Sequence, residues 1–294
     1  MNKIKKILLI IVTIIVILIC LYVVKNYYKN YKNVAYSKEI TSEKVKKTLN
    51  NSKEIPVLMY HSINSDSSTN LMKVNVKQFD EQMKYLKDNK YNTLTADEFY
   101  DCIVNNKKVP DKSVFLTFDD GYQDHYENVY HILKKYNMHA TMFIITGYLD
   151  KGTYYLKSSE LKEMSDNGID IESHTVDHPQ LDKLSYDKQF SELQQSKSKL
   201  EGICKKSVRF IAYPYGSYNI NTIKAAKSLD YIMGFTTKGK WASLNKGVYA
   251  MNRIYIFPQY DLNNFKDRID NPNYNNFVHP INTIKEAYYS IPGM

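Results

Sequence analysis

Between residues 55 and 256, short apolar runs alternate with segments whose apolar residues repeat at helical spacing. The runs at 55–60, 91–94, 113–118, 140–145, 169–173, 208–212, 231–236 and 248–256 read as strands. Between them, Phe79, Met83 and Leu86 mark a helix over 77–89, and 96–106 reads as another. Val129, Ile132, Leu133 and Tyr136 mark a third. Ser158 reads as the cap of a helix carrying Leu161 and Met164 that Gly168 ends. Phe190, Leu193, Lys197 and Leu200 trace a further helix with Lys197 on its edge, residues 222–229 another, and a tail carries helical residues near 284–289. Such alternation predicts an α/β protein with a parallel sheet, because parallel neighbours need a crossover connection. Six or seven units in one body predict a distorted (β/α) barrel of about seven strands, with its site at the C-terminal strand ends.

The chemistry-bearing residues sit at those ends. Thr117-Phe118-Asp119-Asp120-Gly121 closes one strand run. Two adjacent carboxylates repel unless a metal, a cation or a shared proton offsets them. Ser173-His174-Thr175-Val176-Asp177-His178-Pro179 closes another run. Two histidines four apart and one carboxylate form a three-ligand set suited to zinc or a similar divalent ion, and the second carboxylate is left to serve as a base. Alone, Asp-Asp-Gly is usually a turn and His-x3-His a surface pair. Together at strand ends of one body they point to a metal-dependent hydrolase.

The formal charge of +9 invites a nucleic-acid reading that its distribution opposes. Residues 1–53 hold eleven Lys against two Glu, whereas the remaining 241 residues carry 29 basic and 29 acidic side chains. The basic segment surrounds an apolar run of eighteen residues that starts at Ile7 and ends at Val24. As a helix the run spans about 27 Å, enough to cross a bilayer. It lacks an Ala-x-Ala cleavage signal, so residues 1–24 read as an uncleaved membrane anchor, N-terminus inside and body outside; a cleaved signal peptide is the alternative. Residues 25–53 read as a basic stalk and 54–294 as the catalytic domain. Outside the run, Cys102 and Cys204 permit a disulfide without implying one, and the absence of CxxC argues against a cysteine metal site.

On Thr117 to Tyr122 and on Ser173-His174-Thr175-x-x-His178-Pro179, the chain resembles the polysaccharide deacetylase family, carbohydrate esterase family 4, over roughly residues 55–260. The resemblance implies that Asp119 is the general base and that Asp120, His174 and His178 bind one divalent metal, Zn2+ or else Co, Ni or Fe. Tyr213-Pro214-Tyr215-Gly216 matches the core of a third motif, and the Tyr215 backbone N–H is then expected to hold the oxyanion. Ala212 stands where many members carry an arginine that steadies the base, and Arg253 is the candidate to replace it; otherwise Arg253 is an ordinary strand-edge cation. The family's late Asp-Trp pair and terminal strand-His are not clear: Trp241 follows Lys240, and His279 lies in a polar tail. Instead Val57-Leu58-Met59-Tyr60-His61-Ser62-Ile63 puts an apolar strand and a histidine at the start of the domain. That opening is similar to the subgroup that deacetylates poly-β-1,6-N-acetylglucosamine, and it implies His61, protonated, as general acid; the bland alternative is a buried structural histidine. Tyr122, Tyr215, Tyr218 and Trp241 are candidate sugar-stacking rings, and His125, His131 and His139 read as structural. The expected activity is release of acetate from an extracellular N-acetylglucosamine polysaccharide. Peptidoglycan deacetylase, acetyl-xylan esterase and a catalytically silent, membrane-anchored glycan-binding protein are the alternatives.

Overall fold

The computed structural model describes residues 54–65 and 70–274. Among them no helix is long and apolar enough to cross a membrane. The apolar run at 7–24, the stalk, His279 and the helical reading near 284–289 lie outside the described residues.

Seven parallel strands curl around a common interior in a form consistent with the distorted barrel. In chain order the strands are β1 (Val57–Tyr60), β2 (Ser62–Ile63), β3 (Lys73–Val74), β4 (Asn92–Thr93) and β5 (Ser113–Asp120). They continue with β6 (Thr141–Ile144), β7 (Asp170–Ser173), β8 (Phe210–Ala212), β9 (Met233–Phe235) and β10 (Ile254–Tyr255). The order across the sheet is β10-β1-β5-β6-β7-β8-β9, with β4 beside β5 and β2 paired only with β3. The 248–256 run, expected as one strand, is divided between the two ends of this path. Its first part bonds β9, with Met251 N–H donating to Gly234 O (2.9 Å) and Thr236 N–H to Met251 O (2.8 Å). Its second part is β10, whose Ile254 and Tyr255 pair with Leu58 and Met59 of β1. Arg253 stands at the join.

The two faces of the curled sheet bury two different cores, because side chains alternate along a strand. Outward residues such as Leu58, Leu116, Phe118, Met142 and Ile211 pack under the helices. These are α1 (Val76–Asp88), α3 (His131–Tyr136), α4 (Ser158–Asp166), α5 (Tyr186–Cys204), α6 (Ile220–Ser228) and α7 (Leu262–Asp270). Inward residues Phe115, Phe143, Phe210 and Phe235 pack on each other and on α2 (Ala96–Ile103). The Phe99 ring of α2 stacks on Phe115 at 4.6 Å, and Asp170 at the start of β7 accepts from Ala96 N–H at 2.8 Å. Helix α2 thus plugs the N-terminal end of the barrel and leaves the C-terminal end open for the site. Cys102 lies in the inner core and Cys204 in the outer one, both as buried free thiols.

Candidate active site

Strand β5 runs through both aspartates rather than stopping before them, since Asp119 and Asp120 still pair with Phe143 and Ile144 of β6. Asp119 shares the inward face with Phe115 and Thr117. There it meets Arg253, which is fully buried and reaches in from the β9–β10 join. The guanidinium grips the carboxylate in a two-pronged pair: Nη1 donates to Oδ1 and Nη2 to Oδ2, each at 2.7 Å. Nε donates to Thr236 O at 3.1 Å, and Nη1 also approaches Thr117 Oγ1 at 3.3 Å. Phe143 lies 5.5 Å beneath the guanidinium. Burial pushes the Asp119 carboxyl upward, but the charge of Arg253, the His174 ring, the Arg253 hydrogen bonds and the His61 ring together outweigh it and hold the group below the usual carboxylate range. Arg253 therefore keeps Asp119 ionised and fixes its plane.

Asp120 turns away from this pair. Its backbone adopts a left-handed φ of 79°, costly for a residue with a side chain. That turn brings Oδ1 to 3.4 Å from His174 Nε2 and 3.6 Å from His178 Nε2, with 3.2 Å between the two nitrogens. Both Asp120 oxygens are buried without a hydrogen-bond partner. Burial raises its carboxyl, and the His174, His178 and His61 rings more than reverse this, so it sits well below the usual range. Burial, and next the charge of His174, lower His178 to about 3 against the pull of Asp120 and Asp119, which leaves its imidazole neutral. His174 Nδ1–H donates to Ala212 O at 2.8 Å, which turns Nε2 toward Asp120. Two imidazoles and an orphaned carboxylate, all within 4.8 Å of one another, fit a zinc-like divalent ion.

The histidine loop is held from several sides. His178 (φ 57°) and Thr175 (φ 69°) are left-handed, and Thr175 Oγ1 accepts from His178 N–H at 3.1 Å. Glu192 of α5 accepts from the N–H groups of Val176 (2.9 Å) and Asp177 (3.1 Å). Gly147 N–H donates to Val176 O at 2.8 Å, and a Cβ on Gly147 would lie 2.5 Å from that oxygen, so only glycine permits the approach. Ser173 serves packing: its hydroxyl hydrogen-bonds Ser196 at 2.8 Å.

His61 follows β1, next to β5, and is 2% exposed. Its ring stacks on Tyr255 at 5.7 Å. Burial lowers it to about 4, helped by Arg253 and His174 and opposed by Asp120 and Asp119, so its resting state is neutral rather than the protonated form expected. His125 donates from Nε2 to His61 O at 2.8 Å, and Ser62 Oγ donates to Asp124 at 2.5 Å, which ties the His61 turn to the segment after β5. Tyr215 is left-handed (φ 59°) in the turn Pro214–Gly216, and its ring lies 4.6 Å from His178. Of the other candidate stacking rings, Tyr122 is buried against Tyr155 (5.6 Å) and offers no face to a sugar. Tyr218 stacks on Tyr213 at 4.9 Å, and Trp241 donates from Nε1 to Arg268 O at 2.8 Å. His131 and His139 are exposed and outside the cluster.

The sequence pattern of the polysaccharide deacetylases matches residues 106–234. The Bacillus subtilis (strain 168) protein YxkH is 43% identical over 205 residues, 70% of this chain and 72% of its own length. The poly-β-1,6-N-acetyl-D-glucosamine N-deacetylase of Staphylococcus aureus (strain MRSA252) is 35% identical over 196 residues, 62% of this chain and 67% of that enzyme. The chain belongs to the polysaccharide deacetylase family. Among solved structures, the Streptococcus pyogenes deacetylase PplD in complex with acetate matches at a TM-score of 0.71 and 38% identity, over 74% of this chain and 99% of that one. BC0361, a polysaccharide deacetylase from Bacillus cereus, matches at 0.67 and 32%, over 74% and 70%. As a family member the chain is a hydrolase of carbon–nitrogen bonds. In this deacetylase His61 and Arg253 both fall outside the matched residues 106–234, yet the fold brings them to the Asp119–Asp120 end. Thr117 stands in the first motif, but its contact with Arg253 is not legible there, although a place two residues before Asp119 puts it on the same face. His125 is structural, as its sequence position suggests, and Thr236, Glu192 and Asp124 carry no signal in the sequence.

Proposed function

We propose that this deacetylase removes acetyl groups from N-acetylglucosamine units of an extracellular polysaccharide with a poly-β-1,6 backbone, using a divalent metal held by Asp120, His174 and His178. The observation that carries the reading is the Arg253-clamped Asp119 beside an orphaned carboxylate flanked by two imidazoles. Bound there, zinc or a similar ion would supply Lewis-acid polarisation of the acetamide carbonyl and a more acidic water. Asp119, kept ionised by Arg253, accepts the proton of the attacking water. His61, neutral at rest, takes a proton from solvent as water adds to the carbonyl and delivers it to the amide nitrogen; the C–N bond breaks, acetate departs, a free amine stays on the sugar, and Asp119 returns its proton to solvent. The Tyr215 backbone N–H, carried by a left-handed turn against His178, donates to the developing oxyanion. Support for an amide substrate comes from the named activity of the Staphylococcus aureus relative, and acetate, which PplD binds, is the acid such a reaction releases.

The apolar run at 7–24 would tether the body to the outer face of the membrane, where such polymers lie. Protease added to intact cells is then expected to digest the body, and a protected body would contradict this placement. Acetate release from β-1,6-linked N-acetylglucosamine oligomers, set beside peptidoglycan glycan strands, tests the backbone. Faster turnover of the β-1,6 oligomers is expected, and the reverse preference transfers the reading to peptidoglycan.

A further inference from the structure

A cavity of 720 Å³ begins at Tyr215 and Tyr255, whose rings lie on His178 and His61, and extends to Arg268 and Tyr274. Pockets of about 300–1,000 Å³ accept ligands larger than one acetamido sugar. None of Asp119, Asp120, His174, His178 and His61 lines this cavity, so it adjoins the catalytic cluster rather than containing it. Its lining combines aromatic rings with an excess of positive charge: Lys238, Lys240, Lys246 and Arg268 against the single carboxylate of Glu54.

Arg268 is the informative member. It is 2% exposed. Nη1 donates to Asn264 O at 2.8 Å within its own helix, while Nη2 is buried without a partner. Among the described residues no carboxylate forms an ion pair with it. Its guanidinium is positioned by rings instead, 3.6 Å from the Tyr260 centroid and 5.4 Å from that of Tyr274. A buried cation with an unused donor is costly unless an anion meets it. Trp241, on the same cavity wall, donates from Nε1 to the backbone O of Arg268, which ties the indole to the helix turn that carries the guanidinium. Aromatic faces suit pyranose rings, and a guanidinium suits carboxylate or phosphate oxygens.

We propose that this cavity is a subsite for a sugar flanking the reacting one, and that it recognises a carboxylate or phosphate substituent on the glycan. The substrate is then an anionic N-acetylglucosamine polymer rather than a bare neutral chain. This rests on the deacetylase reading of the adjoining site. It also gives release a direction, because the amine formed is cationic at neutral pH and is repelled by the same four side chains.

The test is calorimetric binding to the full chain in detergent after chelator treatment, so that no turnover occurs. Two β-1,6-linked N-acetylglucosamine oligomers of equal length are compared, one neutral and one O-carboxymethylated, with inorganic phosphate as a third probe. The carboxymethylated oligomer is expected to bind about tenfold or more tightly, as a charge-assisted hydrogen bond allows. Salt should narrow the gap, Arg268→Met should remove it, and Arg268→Lys should restore part of it. The exposed pair Lys240→Gln and Lys246→Gln should narrow it without touching the core, which keeps the test decisive if Arg268→Met unfolds. Equal binding of the two oligomers overturns the proposal. So does phosphate binding at Arg268 with no oligomer preference, which marks a site for free anions. A retained preference in an enzyme that deacetylates neither oligomer supports the subsite and counts against the deacetylase reading alone.

Discussion

Replacing Arg253 by methionine leaves the Asp119 carboxylate buried with its counter-ion gone. Both of its short hydrogen bonds, at 2.7 Å, come from that one guanidinium. Breaking a buried pair by removing one partner costs about 3–5 kcal/mol. For a domain of this size each kcal/mol moves Tm by about 2–4 °C, so a fall of about 6–20 °C is expected at neutral pH. The sign of the pH dependence follows from the two carboxyl positions. In the parent, Asp119 lies below its unfolded value, so its contribution is full above the unfolded carboxyl pKa and is lost as pH falls through the folded one. In the variant, burial is opposed only by the His174 and His61 rings, so the folded pKa moves up and Asp119 contributes less stability as pH rises than it does in the parent. The Tm difference between parent and variant should therefore widen from pH 4 to pH 7. Turnover should fall about 10²-fold or more, with the acid limb of its pH profile displaced upward, because a base must be deprotonated to act. Arg253→Lys should recover charge without the two-pronged geometry and fall between them. Calorimetric Tm at the two pH values and acetate release across pH, with metal content measured in parallel, provide the readouts. An Arg253→Met enzyme with parent-like turnover and a Tm difference independent of pH would refute the clamp.

Three further substitutions separate the remaining roles. His174→Ala should lower metal content and turnover together; full metal occupancy in both this variant and Asp120→Ala would sink the ligand assignment. Asp119→Asn should retain metal while turnover drops about 10²-fold or more, and a metal-loaded variant with near-normal turnover would end the base role. His61→Ala should impair amide hydrolysis far more than hydrolysis of an activated aryl acetate, whose leaving group needs little protonation. Normal amide turnover in His61→Ala, with loss in His279→Ala, would hand the acid role to the tail.

Strands buried on both faces read as continuous apolar runs, which is why β1, β5, β6, β7 and β8 were legible as residue types. The site followed from them, since Asp119, Asp120, His174 and His61 all stand where such runs end. Inner and outer faces were not legible. The α2 segment reads like any other helix, and only its packing with Phe115, Phe143 and Phe235 shows that it plugs the barrel. The two aspartates lack any apolar signal that would include them in β5, yet they keep register with β6. A π-helix over His125–Tyr130 precedes α3, and its i+5 bonding has no signature in a pattern sought at 3.6 residues. Ser158 proved to be the first helical residue of α4 rather than its cap; its N–H and hydroxyl both donate to Asp150, at 2.8 and 2.6 Å. The α7 stretch follows the last apolar run and reads as tail, although Asp261 caps it and Leu262, Phe265 and Ile269 keep helical spacing. Arg253 was legible as a candidate because Ala212 left a vacancy for its charge, but the join between Met251 and Ile254 that delivers it depends on hydrogen bonds to two separate strands.

The central claim is that Asp120, His174 and His178 hold a metal that the Asp119–Arg253 pair works beside to cleave an N-acetyl group. Acetate release from defined β-1,6-linked N-acetylglucosamine oligomers, measured before chelation, after chelation and after divalent metal is restored, tests it most directly. The account predicts release that chelator abolishes and zinc or a similar ion restores in the parent chain, with no restoration in His174→Ala. Release that persists at full rate in chelator, or its absence from metal-loaded parent protein on every N-acetylglucosamine oligomer, would contradict it.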